Sequence, residues 1–114
     1  MGVKVIRKGA VELRHRGGPP GTAQVGRAVD TALSPSMGAG FGHFDRCAIE
    51  WTLLYDEIVY VISGRFVVTV EGTAHIAEEG DVMWIPEGTS LIYGGEKARI
   101  FYAVHPGDWA ARVR

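Results

Sequence analysis

Between residues 43 and 105 the chain is a succession of short, β-rich runs, each closed by glycine, proline or an acidic turn. EIVYVIS (57–63) is rich in β-branched residues and meets Gly64, and RFVVTVEG (65–72) closes on Glu71-Gly72. VMWIP (82–86), SLIY (90–93) and RIFYAVH (99–105) continue the series. TAHIAEEGD (73–81) reads as a short strand and a turn, and HFDRCAIEWTLL (43–54) as two strands or one long bent one. Strands at this spacing, with no convincing helix among them, predict a sandwich or barrel of antiparallel strands. Sixteen glycines and five prolines supply the tight turns that such a fold needs.

The first third of the chain is less regular. VELRH (11–15) alternates apolar and polar residues, as a strand with one buried face does. RGGPPGTA (16–23) is a turn or loop, since its prolines and glycines cannot continue a ladder. QVGRAVDTAL (24–33) is ambiguous and fits a strand with a bulge at Gly26. SPSMGAGFG (34–42) has the composition of a mobile loop over a pocket. PGDWAARVR (106–114) reads as a tail with one helical turn. The chain therefore divides into an N-terminal arm with loops (1–35), packing on the barrel or on a partner subunit, and the barrel itself (36–114). With 114 residues it has the length of one domain.

Charge is unevenly spread. Six basic side chains lie within residues 1–30, while residues 45–96 carry ten acids against Arg46 and Arg65. The basic arm lacks interleaved aromatics and adjoins an acidic body, which argues against nucleic acid as a partner. Cys47 is the sole cysteine, so no intrachain disulfide forms, and its expected state is an inert buried thiol. No apolar run reaches the roughly 18 residues of a membrane span. The N-terminus has no secretory hydrophobic region. A soluble cytoplasmic protein is the expectation.

Two stretches share one grammar. Glu57 is followed by six residues and Gly64, and Gly80 by five residues and then Pro86-Glu87-Gly88, with fifteen residues (65–79) between them. This pattern resembles the paired motifs of the cupin superfamily, E-x6-G and G-x5-P-x-G. The elements WTLLYDE (51–57), GDVMWIPEGTS (80–90), IYG (92–94) and FYAVHPGDW (101–109) are similar to those of cupins of the ethanolamine-utilisation EutQ type. The resemblance implies an all-β, single-domain jelly-roll barrel of antiparallel strands and a homodimer. Acetate kinase activity is attributed to that family. No phosphate loop of the Walker type and no dinucleotide fingerprint is present in this sequence.

Standard cupins bind a divalent metal through two histidines and a glutamate of the first motif and a histidine of the second. On this chain the first-motif histidines would fall at Trp51 and Leu53, or at Glu50 and Thr52, and the third at Leu91. Glu57 alone remains of the four, and one carboxylate holds a transition metal poorly. No cofactor is therefore expected. An atypical divalent site drawn from Glu57 and His43 is the alternative.

Strand alternation puts Trp51, Leu53, Tyr55 and Glu57 on one face. The family resemblance places Glu57 inward, and Leu91 and Tyr93 follow from the second motif. The expected wall is apolar and aromatic with one carboxyl group set into it, the composition of a small-ligand pocket. Glu57, held by Tyr55 or Tyr93, is the candidate acid/base group, and Tyr55 its candidate catalytic partner. His43, Trp51, Leu53, Leu91 and Tyr93 are the candidate ligand contacts. The expected function is binding of a small polar metabolite around Glu57. Catalysis by Glu57, or a purely architectural barrel, are the alternatives.

Overall fold

Two long strands organise the molecule, and each turns a corner at a break in its own register. The computed structural model describes residues 2–112. Strand β5 (Asp56–Val70) lies antiparallel to β8 (Ser90–His105) over nearly its whole length. In β5 the buried side chains are Glu57, Val59 and Val61, and then, past the corner, Phe66 and Val68. In β8 they are Leu91 and Tyr93, and then Ala98, Ile100 and Val104. An uninterrupted strand keeps one parity inward. The change from odd to even requires extra residues, and the register shifts between Val61 and Arg65 supply them in β5. Gly64 sits in this corner at φ 79°, where a side chain would strike the Lys97 carbonyl of β8.

The halves of these strands have different partners. β7 (Val82–Ile85) pairs with the first half of β5, and β3 (Gly38–Asp45) with the last half of β8. β2 (Thr22–Val29) adds to β3, and β1 (Arg14–Gly17) adds to β2. Beyond the corner, β6 (Thr73–Glu78) pairs with β5, and β4 (Ile49–Thr52) with β8. All of these pairings are antiparallel. The two sides close on one core, in which the Phe44 ring of β3 packs at a tilt with its centre 5.6 Å from that of Phe66 in β5 and 5.8 Å from that of Tyr93 in β8. This is an antiparallel barrel, one of the two forms expected from the strand series, with the jelly-roll form that the family resemblance implies.

Several local expectations change. The glycine-rich stretch 34–42 is no lid: from Gly38 onward it is strand β3, with Gly38, Gly40, Gly42 and Phe44 facing inward. A side chain at Gly40 would lie 2.6 Å from the Tyr102 hydroxyl, so the glycines let this strand lie close against its neighbours. Gly64 does not end a strand but bends one, and 90–93 and 99–105 are one strand. The irregularity of β2 lies between Arg27 and Val29, not at Gly26. The strand expected at 11–15 begins only at Arg14.

The arm of residues 1–35 is only partly an arm. β2 pairs with β3 along its whole length, with one irregularity between Arg27 and Val29, so one sheet spans the 35/36 boundary. Ala23 is fully buried in the core, and Val25 of the same strand packs against it. Asp81 accepts the Glu78 amide at 2.8 Å, which closes the turn expected after the strand in 73–81. Trp84 is exposed on the outer face of β7. The only α-helix among the described residues is α1 (Trp109–Arg112), and no helix there is long and apolar enough to cross a membrane.

Candidate functional site

The barrel encloses a cavity of about 250 Å³. Glu57, on the inward face of β5, is its one buried charged residue, 6% exposed. The Tyr93 hydroxyl donates to Glu57 Oε1 at 2.7 Å. No other described side chain donates to this carboxyl group, and no buried side-chain oxygen is left without a partner, so Oε2 opens on the cavity. Burial penalises the ionised form and pushes the pKa of Glu57 from an ordinary 4.5 to about 7, with the Tyr93 hydrogen bond pulling the other way. Burial, followed by the nearby Glu57 charge, raises the Tyr93 phenol well above its usual range. Tyr93 therefore stays protonated, as a donor to Glu57 must.

Beside this pair stands a second group. Trp51 Nε1 donates to the Tyr55 hydroxyl at 3.1 Å, and both rings pack on Trp109 of α1, at 6.0 and 5.1 Å. The Tyr55 phenol is also raised, by burial first and by the Glu57 charge second. Tyr102, on the inward face of β8, completes the wall with its pKa raised by burial to about 12. All three tyrosines are neutral donors at physiological pH.

Four of the residues expected from the sequence line the cavity: Glu57, Tyr55, Tyr93 and Trp51. Three do not. His43 is half-buried on the outer face of β3, opposite Gln24 and Arg99, because its neighbour Phe44 holds the inward position. Leu53 is 1% exposed but belongs to the core beneath, where its backbone bonds Thr89 and Gly88 and ties down the second-motif turn. Leu91 faces inward and is 4% exposed, yet it too packs below the cavity. The expectation missed Arg16, Arg27, Tyr102 and Trp109, all of which line the cavity. Tyr102 was legible in the alternation of Ile100, Tyr102 and Val104, and Arg27 in that of Ala23, Val25 and Arg27. Nothing in sequence marked Arg16 or Trp109, which depend on a bulge and on how the tail folds back.

The divalent metal that the cupin fold implies does not fit this site. No histidine stands at the motif positions, whether these are Trp51 and Leu53 or Glu50 and Thr52, with Leu91 in the second motif, and Glu57 is accompanied in the cavity by phenols and indoles instead of imidazoles. Among the described residues no three His, Cys, Asp or Glu side chains gather as a metal site would require. His43 faces away, which also removes the partner of the atypical alternative.

An antiparallel jelly roll that retains the motif glutamate and has no histidine at the motif positions is a cupin-type barrel. Comparison with known proteins narrows this. The profile of the ethanolamine utilisation protein EutQ family matches residues 1–111, and the chain belongs to that family. It is 39% identical over 110 residues to the acetate kinase EutQ of Salmonella typhimurium, covering 95% of this chain and 48% of that protein. The crystal structure of an ethanolamine utilisation protein Q from Salmonella typhimurium superposes with a TM-score of 0.83 at 37% identity, covering 92% of this chain and 87% of that one. The Clostridium difficile EutQ structure gives a TM-score of 0.77 at 30% identity, with coverage of 84% and 71%. The chain spans about half the length of the curated relatives it matches.

Proposed function

We propose that the barrel binds a small polar metabolite against Glu57, without a metal. The observation that carries this is the Glu57 carboxyl group, buried without an ion-pair partner and with one oxygen open to a cavity of about 250 Å³. Burying a carboxyl group is costly, and a ligand that hydrogen-bonds it recovers the cost. The volume lies just below the roughly 300–1,000 Å³ of drug-sized sites, which suits a metabolite of a few carbons.

A second reading is an enzyme in which Glu57 moves a proton. The pKa of about 7 favours it, because an acid/base group works best when poised near the operating pH. Tyr93 then holds the carboxyl group in place, and Tyr55 is the donor closest in character to a catalytic partner. Acetate kinase is the activity named for the longer relatives. A share in ethanolamine utilisation follows from family membership as a proposal of the same kind. The pocket reading requires neither.

The test is a thermal-shift screen of small polar metabolites against wild type and Glu57→Gln, with metal analysis of the same preparations. A ligand that stabilises wild type, loses its effect in the variant and binds metal-depleted protein equally supports the proposal. Stoichiometric bound metal whose removal abolishes binding would contradict it.

A further inference from the structure

The cavity has two chemically different ends. Glu57 and Tyr93 form the buried floor, and Arg16 and Arg27, each exposed on its solvent side, stand at the mouth. Arg27 of β2 faces Gly40 of β3, which in turn faces Tyr102 of β8. Directly opposed residues share one face of a sheet. Arg27 thus shares the inward row with Tyr102, across a position kept clear by glycine. Its charge reaches the Tyr102 phenol, as does that of Glu57. Arg16 arrives by another route. His15 and Gly17 pair with the consecutive residues Gln24 and Ala23, which leaves Arg16 as the extra residue of a bulge. Bulges re-aim side chains, and here the guanidinium lies 5.1 Å from the centre of the Trp51 ring.

Stacking on an indole fixes a guanidinium while leaving its N–H groups free for an anion. Among the described residues neither arginine forms an ion pair. Asp30 is the one other charged group at this mouth, and its Oδ1 accepts the Ala32 amide at 3.0 Å. An ammonium ligand would enter past two guanidiniums with a single carboxylate in compensation. An oxyanion meets the opposite balance.

We infer that the ligand is a small hydroxylated oxyanion, its carboxylate or phosphate group held by Arg16 and Arg27 and its hydroxyl group hydrogen-bonded to Glu57. This rests on the proposal that the barrel binds a small polar metabolite, and it selects the class. The two guanidiniums supply charge-assisted, bidentate contacts, and Glu57 discriminates hydroxylated anions from plain ones. An amine, which the carboxyl group alone would suggest, is rejected.

Isothermal titration calorimetry at low salt with five probes tests this: D-glycerate, glycerol 3-phosphate, acetate, glycerol and ethanolamine. Glycerate or glycerol 3-phosphate, or both, should bind about tenfold or more tighter than the other three, and which of the two leads tells carboxylate from phosphate. Arg16→Gln and Arg27→Gln should each weaken that binding by about tenfold, Arg27→Lys by less, and added salt should weaken it in wild type but not in the double variant. Both arginines are exposed, so the variants should keep the wild-type circular dichroism. Acetate binding as tightly as glycerate would overturn the role given to the hydroxyl group. Tighter binding of glycerol or ethanolamine, unaffected by the arginine variants, would overturn the anion class and leave the pocket proposal standing. Binding of none of the five would overturn both.

Discussion

Replacing Glu57 by glutamine should change how stability depends on pH far more than stability at any one acidic pH. In the unfolded chain the carboxyl group ionises near 4.5, and in the barrel only near 7. Below about 4.5 it is neutral in both states and costs nothing. Between these values the unfolded chain releases its proton while the folded chain retains it, so stability falls as pH rises. Above about 7 the loss is complete. Each tenfold difference in proton affinity is worth about 1.36 kcal/mol. The rise from 4.5 to about 7 therefore removes about 3 kcal/mol between acid and alkaline solution. Glutamine cannot ionise, and its amide oxygen can still accept from Tyr93, so the variant should lack this slope. Urea unfolding of both proteins from pH 4.5 to 8.5 reads it directly. At pH 8.5 Glu57→Gln should exceed wild type by about 3 kcal/mol, or on the order of 10 °C in Tm. Near pH 4.5 the two should agree closely. Contributions common to both proteins cancel in the difference. A difference constant across the range would refute the claim that Glu57 is buried without a compensating cation.

Three further outcomes follow from the same geometry. Tyr93→Phe removes the one side-chain donor to the carboxyl group, so the Glu57 pKa, followed by carbon NMR, should move still higher, at a cost of about 1–3 kcal/mol in stability. Gly40→Ala should cost about 1–3 kcal/mol in urea unfolding, because its methyl group meets the Gly26 carbonyl and the Tyr102 hydroxyl; a neutral result would mean that this stretch is the loose loop its composition suggests. Ile58, Tyr60, Val82 and Trp84 form an exposed apolar patch where β5 meets β7, and we propose it as the face of a homodimer. Sedimentation should then show a dimer for wild type and a monomer for Trp84→Asp.

Much of this architecture is legible in the sequence. The runs at 57–63, 65–72, 82–86 and 99–105 are strands because β-branched and aromatic residues fill pleated faces and glycines and prolines punctuate them. The motif frame placed Glu57 and Tyr93 on the inward face, and alternation added Trp51 and Tyr55. What sequence could not supply was the third dimension of single irregularities. Gly64 reads as a terminator, and only the Lys97 carbonyl packed against it shows why the strand bends there instead of stopping. The glycines of 38–42 read as looseness, because the close neighbours that require them come from β2 and β8. His43 reads as a site residue because it is an imidazole, but Phe44 takes the inward position of the strand. Arg16 was invisible as a site residue for the same reason: one unpaired residue in β1 turns it toward Trp51.

The central claim is that this barrel holds a small polar molecule, not a metal, against Glu57. A crystal structure of protein purified without chelator or added ligand tests it most directly. Ordered non-metal density is expected within hydrogen-bond distance of Glu57 Oε2, in contact with the aromatic wall. A metal ion coordinated by Glu57, or dry and empty space beside it, would contradict the account.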